Sequence, residues 1–224
     1  MSEDTDLDIR RGPLYRAFRE RWQAEALVAG RVWITTLNEC RRMEDPLRRD
    51  GSEGTLRYES GEISGPADDP RVREVARRTG MSYAPGTVGG TVTLGGNLTI
   101  TEHRDVYVLC MSTEQMTKFG PYCVRIPQPL EFVGTVGDAL VGAGRVLQVT
   151  ATSPETNCQF GVVWYGDRSY RHLDPGPTHP AFAKPAIPFA EDKEVRAIFR
   201  PTRLPIAPFE LLCPAAAAFC ELLT

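Results

Sequence analysis

The chain has 224 residues, a formal net charge of -3 at neutral pH and 42% hydrophobic residues, which suits one domain with a sizeable core. That mild acidity excludes a global basic field of the kind that holds nucleic acid nonspecifically. No apolar run reaches the roughly 18–20 residues of a membrane-spanning helix, and the acidic, polar residues 1–8 are unlike a secretory leader, so a cytoplasmic protein with no membrane partner is expected.

Residues 1–13 read as a flexible N-terminal tail and 14–224 as a single α+β domain. Over 18–29, Phe18, Trp22, Ala26 and Ala29 fall on one helical face, with Gly30 as the stop. The β-branched and aromatic residues 31–37 read as a strand. The charged stretch 38–60 reads as a long loop next to a site. Its carboxylates Glu39, Glu44, Asp45 and Glu53 are the oxygen ligands a divalent cation would take.

The spacing predicts a second helix over 69–79, with Asp69 as N-cap, Pro70 in the first turn and Gly80 as the stop. Its arginines, Arg71, Arg73, Arg77 and Arg78, make the most basic spot in the chain. The Gly- and Thr-rich stretch 86–96 reads as a hairpin or loop and lacks the spacing of a phosphate-binding loop. Strands are expected at 98–101, 105–112, 122–126, 145–151 and 160–165, with a short helix at 138–143.

The last expected strand, 194–200, turns Val195, Ala197 and Phe199 to a buried face, with Arg196 and Arg200 opposite. A Pro-rich loop, 184–188, leads to Glu191 and Glu194 at its mouth. The Ala-rich end, 209–223, reads as a helix beginning after Pro214. Early helices, later strands and no βαβ rhythm give an α+β fold with a mostly antiparallel sheet.

Six cysteines, Cys40, Cys110, Cys123, Cys158, Cys213 and Cys220, form no C-x-x-C pair and read as buried reduced thiols. His103, His172 and His179 are far apart, read as surface or loop residues, and nominate no metal site. Arg16 is a candidate pyrophosphate grip, because a guanidinium is a permanently charged two-pronged donor. Thr35 and Thr36 end a strand with hydroxyls, and Glu194 is a carboxylate at a strand mouth.

Several blocks, in order, resemble a bacterial family of unknown function found among phage-defence and mobile-element genes. They are 38–53 with Asp45-Pro46, Cys110-Met111-Ser112, Gly120 with Cys123-Val124, Val163-Trp164-Tyr165, Lys184, and 191–196 with Glu191, Glu194 and Arg196. This resemblance spans roughly residues 14–200, and the same skeleton is similar to ADP-ribosyltransferases of the arginine–serine–glutamate type. It departs from them in Thr35-Thr36-Leu37, where those have Ser-x-Ser, and in the spacing of Glu191 and Glu194, three rather than two.

The resemblance implies an ADP-ribosyltransferase-like split sheet and NAD as cofactor. It implies Arg16, Tyr15, Thr35, Thr36 and Tyr122 at the cofactor, and Glu194 with Glu191 as the catalytic carboxylates. Trp33 is a further aromatic available to nicotinamide. The acceptor would be a protein or a nucleic acid, as for a toxin or defence effector. Two rival classes stand beside it: a catalytically silent binding or sensor module, and a metal-dependent nucleic-acid-processing enzyme built on Glu39, Glu44, Asp45 and Glu53.

Overall fold

Tyr107–Ser112, the run Tyr-Val-Leu-Cys-Met-Ser, is buried along nearly its whole length and is the strand on which the sheet divides. The computed structural model describes residues 9, 12–42, 50–51, 54–81, 90–95, 99–103 as backbone, 105–147, 158–174 and 179–223. In chain order its elements are β1 Leu14–Phe18, α1 Arg21–Val28, β2 Arg31–Thr36, α2 Leu37–Arg42, β3 Thr55–Glu59, β4 Ile63–Pro66, α3 Pro70–Thr79, β5 Thr91–Leu94, β6 Thr99–His103, β7 Tyr107–Ser112, β8 Tyr122–Ile126, α4 Pro129–Gly142, β9 Cys158–Val162, β10 Trp164–Tyr165, β11 Ser169–Arg171, β12 Ala183–Lys184, β13 Glu194–Phe199, β14 Phe209–Leu212 and β15 Glu221–Leu223. The fold is α+β around an eight-stranded sheet whose pairings are all antiparallel.

One edge of β7 pairs with β13 along its length, from Glu194 opposite Ser112 to Phe199 opposite Tyr107, and β13 pairs in turn with β9. The other edge of β7 is shared. Its start takes β2, with Thr35 opposite Val108, and its end takes β1, with Tyr15 opposite Ser112. From there β2 continues to β14, and β1 continues to β8 and β15. Two half-sheets therefore splay from one central strand, and a wedge opens between β1 and β2.

The main core lies where α4 packs Phe132, Val136 and Leu140 with Leu109, Val195 and Phe199 of the central strands. Burial of such side chains, at ~25 cal/mol per Å² of apolar area, is the main force closing the fold. Strands β3, β6 and β11 form a smaller sheet, and β4–β5 with α3 form a satellite cluster around Val72 and Val75. No helix among the described residues is long and apolar enough to cross a membrane.

Helix α3 matches its sequence signals. The Asp69 carboxylate accepts the Arg71 N–H at 2.8 Å, and Gly80 ends the helix at φ 71°. Three of its arginines are ion-paired locally, Arg71 with Asp69 and both Arg77 and Arg78 with Glu74.

Several expectations are corrected. Phe18 belongs to β1, and the first helix begins at Arg21 behind a capping box of Glu20 and Gln23. Trp22, expected on its buried face, is 60% exposed. The long loop contains α2 and β3, while residues 43–49 with Glu44 and Asp45, and Glu53, lie outside the described residues.

The short helix at 138–143 is the last part of α4, whose start is set by Pro129 in the first turn; Gly134 and Gly137 obscure it in sequence. The strand expected at 145–151 reduces to a bridge between Val146 and Pro201, with 148–151 outside the described residues. The helix expected after Pro214 is a short 3-10 helix, Pro214–Phe219, that holds the four alanines, while the residues on either side pair as β14 and β15 and add one strand to each half-sheet. Ile9, in the expected tail, is buried in the core, and His179 is buried with Nδ1 accepting the Ala181 N–H at 3.0 Å.

Candidate functional site

The wedge between β1 and β2 is a cleft of about 420 Å³. Tyr15 and Arg16 come to it from β1, Trp33 and Thr35 from β2, Trp22 from α1, and Cys110 and Ser112 from β7. Glu194 and Arg196 come from β13, Lys184 from β12 and Asp192 from the turn before β13. Residues separated by most of the chain thus meet because β7 pairs with β1, β2 and β13 together.

Glu194 is the centre of the inner end. Its Oε2 is 2.7 Å from Lys184 Nζ and its Oε1 accepts the Arg196 Nε–H at 2.7 Å. Its backbone N–H donates to the Tyr165 hydroxyl at 2.8 Å. Arg196, 1% exposed, also donates to the Ala181 carbonyl, and Lys184 Nζ lies 4.8 Å from the Phe189 ring centre. All six residues of β13 are buried, so Arg196 is an internal counter-charge and not the solvent-facing residue that alternation suggests. Burial alone would push the Glu194 carboxyl up. The Arg196 and Lys184 charges overcome it and hold the group well below the usual carboxylate range. The same carboxylate, after burial, pushes the Cys110 thiol and the Tyr165 phenol up.

Asp192 is the residue that sequence reasoning missed. It is buried and lines the cleft, whereas Glu191 is exposed and does not. The only sequence signal is its position two residues before Glu194. Its carboxylate is 2.6 Å from Lys118 Nζ, and its carbonyl accepts the Ser112 hydroxyl at 2.8 Å. Burial pushes its carboxyl up, partly offset by the hydrogen bond from Lys118. Two neighbouring carboxyls are therefore driven in opposite directions.

Of the other expected residues, Arg16, Tyr15 and Thr35 line the cleft. The Arg16 guanidinium donates to the Trp33 carbonyl at 3.1 Å and lies 5.5 Å from the Phe18 ring centre. The Thr35 hydroxyl is buried without a hydrogen-bond partner among the described residues. Thr36 is absent from the lining. Successive strand residues face opposite ways, and its hydroxyl accepts the Glu39 N–H at 3.1 Å at the start of α2. Tyr122 is also absent. It pairs with Phe18 in β8 and packs on the main core. The carboxylate group Glu39, Glu44, Asp45 and Glu53 has only Glu39 within the described residues.

No family model, curated protein sequence or solved structure matches this chain.

Proposed function

We propose that the chain is an NAD-dependent, ADP-ribosyltransferase-like protein that modifies a protein or nucleic-acid acceptor, as a toxin or phage-defence effector does. The observation that supports this reading is the meeting of Arg16, Thr35 and Glu194 on one cleft at the split of the sheet. The cleft's volume lies within the roughly 300–1,000 Å³ of small-molecule sites. The buried, unpartnered Thr35 hydroxyl gives it a polar atom that a ligand would satisfy.

NAD would supply a ribose–nicotinamide bond whose cleavage builds positive charge on the sugar. Arg16 would hold its phosphates, and Tyr15 offers an aromatic face. Glu194 is an ionised carboxylate fixed in place by Lys184 and Arg196, and it would face the developing positive charge without reorienting. Asp192, with its carboxyl pushed the other way, is the group suited to take a proton from the acceptor.

One observation favours a second reading, a binding or sensor module without turnover: both Glu194 oxygens are already held by cations. Calorimetric titration with NAD, paired with nicotinamide release in the presence of cell lysate, separates the two. The proposal expects both binding and release in the wild type, and loss of binding in Arg16→Ala with an unchanged melting temperature. Binding without release selects the second reading. No binding by a folded wild type overturns the transferase reading and selects a binding module for a ligand other than NAD.

A further inference from the structure

Strand β2 sets Arg31, Trp33 and Thr35 along the same wall of the cleft, at alternate positions. At ~3.3 Å per residue the track runs about 13 Å, from the buried Thr35 to the solvent-facing Arg31. Trp33 is 52% exposed and Trp22, from α1, is 60% exposed, and both line the same cleft. Exposing two indoles forgoes the burial that would otherwise help the fold, and neither ring stacks on another aromatic among the described residues. Beside them are two permanent cations, Arg16, which donates to the Trp33 carbonyl, and Arg31, 3.8 Å from Glu210. Glu210 lies directly across the β14–β2 ladder from Trp33 and also lines the cleft, adding an acceptor for an exocyclic amine or a ribose hydroxyl.

We infer that this outer half of the cleft is a nucleotide subsite, where Trp33 and Trp22 stack the base and Arg16 and Arg31 take the phosphate. Indole faces accept any base by stacking, and guanidinium groups suit phosphate oxygens. The occupant is a small nucleotide and not a nucleic-acid strand. Cationic lining residues Arg16, Arg31, Lys184 and Arg196 are balanced by Glu114, Asp192, Glu194 and Glu210, and a long polyanion needs a surplus of positive charge along its path. On the reading of the cleft as an NAD site, on which this identity rests, the subsite holds the adenosine monophosphate end while the nicotinamide end reaches Glu194.

The test uses the full chain and follows tryptophan fluorescence during titration with AMP, with ribose 5-phosphate as the base-free control and oligo(dT) as the strand control. AMP is expected to quench and to bind more tightly than ribose 5-phosphate. Trp33→Ala should weaken AMP binding by roughly 5- to 150-fold, the effect of losing one base–aromatic stack, and Trp33→Phe should restore most of it. Both tryptophans are exposed, so the variants should fold, and melting curves check this. AMP and ribose 5-phosphate binding alike, or Trp33→Ala binding AMP as the wild type does, overturns the subsite. Oligo(dT) binding more tightly than AMP overturns the choice of a small nucleotide. NAD turnover in the same preparations keeps the two claims separate. Turnover with an unchanged KM in Trp33→Ala defeats the subsite alone. AMP binding that depends on Trp33 without any NAD turnover defeats the transferase reading alone.

Discussion

Lys184 Nζ stands 2.7 Å from Glu194 Oε2 in the closed inner end of the cleft, and neither side chain is more than a tenth exposed. With Arg196 on the other oxygen, the three form a buried ionic group whose members depend on one another for charge compensation. Removing one partner from such a group strands the rest in a poor solvent for charge.

Lys184→Met should therefore cost about 3–5 kcal/mol of stability, the range for breaking a buried pair. Adding Glu194→Gln to it should cost less than the sum of the single changes, because the stranded carboxylate goes as well. Urea denaturation of the two single variants and the double variant measures the coupling. Strict additivity would show that the contact contributes nothing to folding.

Gly120 should be irreplaceable even by alanine. It has φ 145°, and an added Cβ would fall 2.0 Å from the Phe18 carbonyl oxygen at the end of β1. The close approach fastens the 113–121 segment, which carries Glu114, Met116 and Phe119 into the cleft. Gly120→Ala should cost at least about 1–3 kcal/mol, read as a fall in melting temperature. An unchanged melting temperature would refute the close approach.

Acid should loosen α3 through its carboxylates. The Arg71 hydrogen bond lowers Asp69 from 3.8 to about 2, and chiefly the Arg77 hydrogen bond lowers Glu74 from 4.5 to about 2. Both folded values lie below the unfolded ones. Their stabilising effect is thus present above pH 4.5 and lost as pH falls through about 2. Hydrogen-exchange protection in 70–79, corrected for the intrinsic rate at each pH, should fall over that window, less so in a variant carrying Asp69→Asn and Glu74→Gln. Equal acid sensitivity in that variant would locate the effect elsewhere.

The thiols should be slow nucleophiles. Burial pushes Cys158 up to about 11 and Cys220 up to about 12. At pH 8 only a small fraction of either is thiolate, and the thiolate is the reactive form. Iodoacetamide labelling followed by mass spectrometry should show both largely unmodified in the folded protein and modified after denaturation. Rapid labelling in the native state would contradict this.

The fold was legible where the signal is local. Asp69, Pro70 and Gly80 mark α3 through cap and turn chemistry, and the β-branched run from Arg31 marks β2. It was illegible where a distant partner decides. Over 209–223 only Pro214–Phe219 is helical, as a 3-10 helix, and the sheet edges on either side draw Leu211 and Leu222 into ladders. At the cleft, three residues singled out in the sequence, Arg16, Thr35 and Glu194, come to one lining, and the strands that carry Thr35 and Glu194 were legible. The placement of Asp192 and Thr36 was not. Which of Glu191 and Asp192 turns inward depends on the 3-10 turn that carries them, and which of Thr35 and Thr36 faces the cleft depends on the phase of β2.

The most direct single measurement is nicotinamide release from NAD by the wild type, Glu194→Asp and Glu194→Gln, each first shown to be folded by its melting curve. Glu194→Asp guards against failure to fold, since it keeps the charge while withdrawing the carboxylate by one methylene. Release by the wild type that falls about 100- to 1,000-fold in Glu194→Gln, with intermediate loss in Glu194→Asp, is the expected result. Release that is absent from the folded wild type, or equal in all three, would contradict catalysis at Glu194.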